Sequence, residues 1–126
     1  MTLNHSNFEL LSNETAITLA KKLGLVKTDA TLNCREIGDG NLNYVFHITD
    51  TATKKGIIIK QAIPYAKVLG ESWPLTLKRA AIEANALIHF KSYCPEFVPQ
   101  VYYSDEQLAI TIMDSYCLLF QLLIME

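Results

Sequence analysis

Between Thr31 and Ala62 the chain is written as three short apolar segments, LNCREI, NYVFHI and GIIIKQA, separated by two clusters of turn residues, GDGN and DTATKKG. Segments this short, rich in β-branched and aromatic residues and bounded by Gly, Asn, Asp and Thr, fold as neighbouring strands joined by tight turns. Three antiparallel strands are therefore predicted. After PYAKVLGESWP, read as a loop, the stretch from Leu75 to about Tyr93 has no Gly or Pro and carries Leu77, Ala80, Ala81, Ala84, Leu87, Ile88 and Phe90. With Pro74 near its first turn, this stretch is predicted to be the main helix. Two more strands follow, Pro99 to Ser104 and Leu108 to Met113, around the turn Ser104 to Gln107. Upstream, Ser12 to Leu23 groups Ala16, Ile17, Leu19, Ala20 and Leu23 near one side of a short helix, with Gly24 placed to end it. The expected fold is α+β, a five-stranded antiparallel sheet with one main helix and an N-terminal helix.

The 126 residues are enough for one domain with a real core. Half the residues are hydrophobic and 19% are charged, which excludes a disordered or low-complexity chain. Eleven Lys and Arg against 13 Asp and Glu give a net charge of -2, so no basic footprint points to nucleic acid. Cys34, Cys94 and Cys117 are odd in number and widely spaced, unlike a disulfide framework or a zinc site, and read as reduced structural thiols. The N-terminal MTLNHSNFELLSNE has no basic start followed by a long apolar run, so a cytoplasmic protein is expected. Tyr116 to Met125 is apolar except for Gln121, but it is shorter than the roughly 20 residues that span a bilayer. No membrane partner is expected.

Gly38-Asp39-Gly40-Asn41-Leu42-Asn43-Tyr44-Val45 has the spacing of a glycine-rich nucleotide loop, G-x-G-x-x-G-x-V, with Asn43 at the third glycine position. Glycines there would let backbone N–H groups approach phosphate oxygens, though the same residues also suit a plain hairpin turn. A dinucleotide fold would need a helix directly after the loop, whereas NYVFHI alternates with period two. On the next strand, Ile57-Ile58-Ile59-Lys60 resembles the V-A-I-K strand of kinases, where the lysine reaches the phosphates beneath the loop. The alternative is a lysine that ends an exposed strand. Ile58 shares a strand face with Lys60, and Val45 can meet Ile58 across the hairpin to roof an adenine ring. Glu83, in the apolar middle of the long helix, needs a partner if it faces inward. Lys60 is one candidate, and Arg79 at i−4 is the other. His5, His47 and His89 share no ligand spacing and are assigned no role. Trp73 reads as a packing anchor for the loop before the helix.

The strings REIGDGNLNYVFHI, IIIKQAIPYAKVLGESWPLTLKRAAIEANALI and VPQVYYSDEQLAITIM closely resemble the N-terminal lobe of the bacterial 5-methylthioribose kinases over roughly residues 10 to 113. That family is kinase-like in fold, related to choline and aminoglycoside kinases, and phosphorylates the 1-hydroxyl of methylthioribose in methionine salvage. The resemblance implies that Asn43 and Lys60 bind ATP, with magnesium, and that Asp114, Ser115 and Tyr116, after Met113, form the hinge facing the adenine edge. The nucleotide-site set is thus Gly38, Gly40, Asn43, Val45, Ile58, Lys60, Glu83, Met113, Asp114, Ser115 and Tyr116. Whole members of the family form homodimers.

The family pattern then breaks. Where relatives continue Met-Glu-Asp-Leu into a long C-terminal lobe, this sequence reads Met113-Asp114-Ser115-Tyr116-CLLFQLLIME, with no His-Gly-Asp or Asp-Phe-Gly string. Residues 1–113 are accordingly read as the lobe, and 114–126 as a hinge remnant with a divergent apolar tail, which reads as a segment packed on the lobe, a partner-binding segment or, the favoured reading, the product of a frameshift or early stop. No catalytic residue or metal ligand is assigned within the chain. The magnesium ligands and the groups that hold methylthioribose are expected on a C-lobe, so the chain alone is expected to be inactive. The alternative function is a non-catalytic module that pairs through its tail with a separate C-lobe or a full-length kinase.

Overall fold

The computed structural model describes residues 9–37, 43–63, 65–66, 70–74 and 77–115, with backbone alone for 65–66 and 70–74. Helix α1 (Asn13–Lys22) begins where Ser12 and Thr15 cap each other: Ser12 Oγ accepts from the Thr15 amide at 3.3 Å and Thr15 Oγ1 from the Ser12 amide at 2.7 Å. It ends at Gly24, whose φ of 72° is a left-handed turn that costs glycine little. Strands β1 (Leu32–Glu36), β2 (Asn43–Asp50) and β3 (Gly56–Ala62) follow as a meander. The β2 to β3 turn is fixed by Asp50, whose carboxylate accepts from the Ala52 and Thr53 amides, and those bonds hold its pKa below the ordinary value.

The chain then makes a two-stranded ribbon, β4 (Tyr65–Ala66) and β5 (Gly70–Pro74), in the segment read from sequence as a loop. Pro74 is the last residue of β5, paired with Tyr65, and does not sit in the first turn of the main helix. A terminal strand position tolerates its missing N–H. The main helix, α2 (Lys78–Tyr93), starts accordingly later than Leu75, with Leu77 as an N-cap that makes no side-chain bond. Strands β6 (Val101–Asp105) and β7 (Ile110–Asp114) are the last elements among the described residues. Strand order is β1-β2-β3-β7-β6, and every neighbouring pair is antiparallel. The expected five-stranded antiparallel sheet with two helices is what forms.

Both faces of this sheet are covered, which is why β3 carries consecutive isoleucines rather than alternating with polar residues. Ile57 and Ile59 join Phe46, Ile48, Ile110 and Ile112 beneath Ala16 and Ala20 of α1. Ile58 points the other way, into a cluster with Val45, Met113, Val98 and Leu87 of α2. Burying each such side chain is worth about 1.5–3 kcal/mol before entropy is counted. Gln61 is also wholly buried. Its side chain accepts from the Leu11 amide at 2.9 Å and donates to the carbonyls of Glu9 at 2.7 Å and Leu108 at 3.0 Å. The chain before α1 is thereby held onto the sheet.

Candidate functional site

The register of the central strands determines what can meet. Val45 on β2, Lys60 on β3 and Thr111 on β7 lie in one row across the sheet, and His47, Ile58 and Met113 in a second. Directly opposed residues share a face, so Val45, Ile58, Lys60 and Met113 all project toward α2. Lys60 is 5% exposed, and its Nζ lies 2.7 Å from Glu83 Oε1, with the Glu83 side chain 34% exposed. Of the two partners left open for Glu83 by the sequence, the lysine makes the ion pair. A buried ammonium needs such a counter-charge, and the pair aims the lysine side chain from β3 across to the helix.

Arg79, one turn before Glu83, donates from Nη2 to the Ile63 carbonyl at 2.8 Å. Burial pushes the pKa of its guanidinium down, and the nearby Glu83 carboxylate pushes it back up. Lys60, Arg79 and Glu83 are thus one electrostatic group joining the end of β3 to the first turns of α2. His47 sits opposite Arg35 on β1. Its pKa is lowered, first by burial and then by the Arg35 charge.

Asn43 begins β2 opposite Ala62, and the Ile37 amide donates to the Val45 carbonyl at 2.9 Å, so the β1–β2 ladder runs to the edge of the glycine-rich segment. Gly38 and Gly40 lie outside the described residues. The strand ends that flank them are at the Lys60 end of the sheet. At the other end, Met113 faces Ile58, and Asp114 is bonded to Gln100 twice, its amide donating at 2.9 Å and its carboxylate accepting at 3.0 Å. Ser115 follows directly, with Oγ near Gly56, and Tyr116 lies outside the described residues. The Asp114 and Lys60 rows are three residues apart on β3, about 10 Å of strand.

The structure therefore brings together Val45, Ile58, Lys60, Glu83 and Met113, with Asn43 at one end and Asp114 and Ser115 at the other. Val45 and Ile58 are 3% and 2% exposed, so a flat ligand would reach them only in place of their present neighbours. Sequence reasoning missed the Arg79 bond to Ile63 and the role of Gln61. The only signal for Gln61 was an amide in an apolar run. A cavity of about 490 Å³ lined by Leu25, Val26, Lys27, Lys55, Ile57 and Tyr102, among others, contains none of the expected nucleotide-site residues. Among the described residues no three His, Cys, Asp or Glu side chains converge to hold a metal ion, and no helix is long and apolar enough to cross a membrane.

No family model matches the chain. Curated relatives do. The methylthioribose kinase of Geobacillus kaustophilus (strain HTA426) is 64% identical over 113 residues, which is 90% of this chain and 28% of that protein. The methylthioribose kinase of Geobacillus thermodenitrificans (strain NG80-2) is 63% identical over 112 residues, 89% of this chain and 28% of its own length. That of Bacillus velezensis (strain DSM 23117 / BGSC 10A6 / LMG 26770 / FZB42) is 61% identical over 109 residues, 86% of this chain and again 28% of its own. The chain spans little more than a quarter of the length of the relatives it matches. Over nine-tenths of its own length, then, it is similar to the N-terminal portion of the methylthioribose kinases, the family its sequence resembles.

Proposed function

We propose that this chain is the ATP-binding N-terminal lobe of a cytoplasmic kinase that phosphorylates methylthioribose in methionine salvage. The observation that carries the reading is the Lys60–Glu83 pair at 2.7 Å, set one strand away from the hairpin whose connection is the glycine-rich segment. In this reading Lys60 places its charge against the phosphates, and Glu83 keeps the ammonium extended. Backbone N–H groups of Gly38 to Asn43 cover those phosphates, and the chain after Met113, from Asp114 to Tyr116, takes the adenine edge. Val45 and Ile58 supply the apolar roof once the ring has displaced their neighbours. Bound ATP carries the transferable phosphoryl group, and magnesium neutralises its charge. The 126 residues contain no His-Gly-Asp or Asp-Phe-Gly string, so the base, the magnesium ligands and the sugar-holding groups are assigned to residues outside them.

The test is calorimetric titration of the chain with Mg·ATP, beside Lys60→Met and Glu83→Gln. Saturable binding is expected, lost in Lys60→Met and weakened about tenfold or more in Glu83→Gln, the scale of one charge-assisted bond. Equal affinity in wild type and Lys60→Met refutes the site.

A second reading, a non-catalytic module that pairs with another chain, is favoured by one observation. Phe90, Tyr93 and Phe97, on and just after α2, are more than half exposed, as residues of an interface are before assembly. Mixing the chain with the separately produced remainder of a methylthioribose kinase separates the two. ATP-dependent phosphorylation of methylthioribose supports the lobe, and a complex without turnover supports the module.

A further inference from the structure

Helix α2 begins in an unfavourable way. Its first turn holds Lys78 and Arg79, has no acidic residue and makes no side-chain N-cap bond, although the positive end of a helix disfavours cations and leaves N–H groups to be satisfied. Something beyond the helix must offset this. Arg79 is half-buried, and its Nη2 reaches 2.8 Å to the carbonyl of Ile63, a wholly buried residue three positions after Lys60. Glu83, four positions further along α2, lies on the same side of the helix and bonds Lys60. Two links therefore run from the end of β3 to α2, one helical turn apart. A single ion pair would act as a pivot, whereas two fix the rotation of the helix about its axis. Packing alone holds that rotation weakly, because the fully buried side chains of α2 are Ala84 and Leu87. At the far end the same device recurs, with Lys91 Nζ donating to the carbonyls of Pro95 at 2.6 Å and Val98 at 2.8 Å.

We infer that Arg79 is a positioning residue: by tying the first turn of α2 to the end of β3, it holds the Glu83 carboxylate against Lys60. Its functional meaning rests on the nucleotide reading above, but the geometry stands without it. The experiment measures how fast Lys60 is acylated by a small amine-reactive ester, relative to the exposed Lys22 on α1, by mass spectrometry of the intact chain well below its thermal midpoint. Mg·ATP affinity is measured on the same samples. In wild type, Lys60 is expected to react far more slowly than Lys22. In Arg79→Met the Lys60 to Lys22 ratio is expected to rise about fivefold or more, on the scale of one charge-assisted hydrogen bond, and ATP affinity to fall by a similar factor.

A merely structural arginine would lower the thermal midpoint and leave that ratio unchanged, and this result overturns the inference. If Arg79→Met does not fold, Arg79→Gln decides on the same terms: it keeps a polar, helix-compatible side chain that is too short to repeat the bond. The two claims fail separately. A wild-type chain that binds no Mg·ATP removes the nucleotide reading, while the acylation ratio still decides on Arg79. Wild-type ATP binding with an unchanged ratio and affinity in the variant removes the role of Arg79 alone.

Discussion

Deleting either partner of the Lys60–Glu83 pair breaks the same 2.7 Å contact, yet the two deletions should cost different amounts. Removing one member of a fully buried pair costs about 3–5 kcal/mol, because the remaining charge stays out of water without that partner. Lys60 is 5% exposed and Glu83 34%, so the penalty depends on which charge remains. Glu83→Ala leaves the ammonium inside. Allowing for the partial hydration of the carboxylate it removes, the expected loss is about 2 kcal/mol, a fall in Tm of roughly 8 °C for a domain of this size. Lys60→Met leaves a carboxylate that can turn to water and puts a thioether chain on the sheet face that carries Val45 and Ile58. Its expected cost is below about 0.5 kcal/mol, with a gain allowed. The double variant should then match Lys60→Met alone. Urea unfolding followed by circular dichroism measures all four proteins, with a constant slope as the check that midpoints report stability. A Lys60→Met chain as unstable as Glu83→Ala, or a double variant whose loss is the sum of the single losses, refutes the reasoning.

Gln61→Leu removes the bonds to Leu11, Glu9 and Leu108 and should cost about 3 kcal/mol. Hydrogen exchange at the Leu11 amide should rise, and unchanged protection there would contradict the clasp. Gly56→Ala puts a Cβ 2.9 Å from His47 Nε2 and Ser115 Oγ and 3.1 Å from the Ile48 carbonyl. The side chains can swing but the carbonyl cannot, so a loss of about 1 kcal/mol is expected by thermal melting, and a Tm at or above wild type is the contrary result. His47, held below its ordinary pKa of 6.5 first by burial and then by Arg35, takes up a proton less readily folded than unfolded. Its contribution is complete above that value and is lost as pH falls through it toward the lowered folded value. His47→Gln should flatten the fall in Tm between about pH 7.5 and about 5.5, and a slope equal to wild type contradicts the assignment.

What could be read from the sequence depended on how local its cause was. Ser12 and Gly24 each act within one turn of chain, so α1 was visible at both ends. The alternation in NYVFHI marked β2. The ribbon β4–β5 was invisible because Tyr65–Ala66 is too short for a period, and a proline before an apolar stretch reads equally as a helix start. In Ile57-Ile58-Ile59 a continuous apolar run showed burial but not which face Lys60 would take. Spacing alone pairs Glu83 with Arg79 at i−4, and only the order of loop, strand and helix favoured Lys60. The structure divides them, giving Lys60 the carboxylate and Arg79 the Ile63 carbonyl. The bonds of Gln61 could not be foreseen at all, because their partners are backbone groups some fifty positions away.

Lys60 and Gln61 are neighbours on one strand, both buried and pointing to opposite faces, and they separate what the fold requires from what the site requires. Every bond named for Gln61 goes to backbone, so its amide satisfies groups that would otherwise be buried unmatched, and no apolar residue can replace it. The Lys60 contact goes to a carboxylate that water can reach, so the fold would accept Met there. On the proposed nucleotide reading, the cation at this position serves the phosphates rather than the fold. The consequence is a crossed result. At a temperature where both variants are folded, Lys60→Met should keep its stability and lose Mg·ATP, while Gln61→Leu should lose stability and keep its ATP affinity within about threefold. A folded Gln61→Leu chain that no longer binds ATP would show that the two faces of β3 are not independent, and the assignment of the nucleotide to the Lys60 face alone would have to be given up.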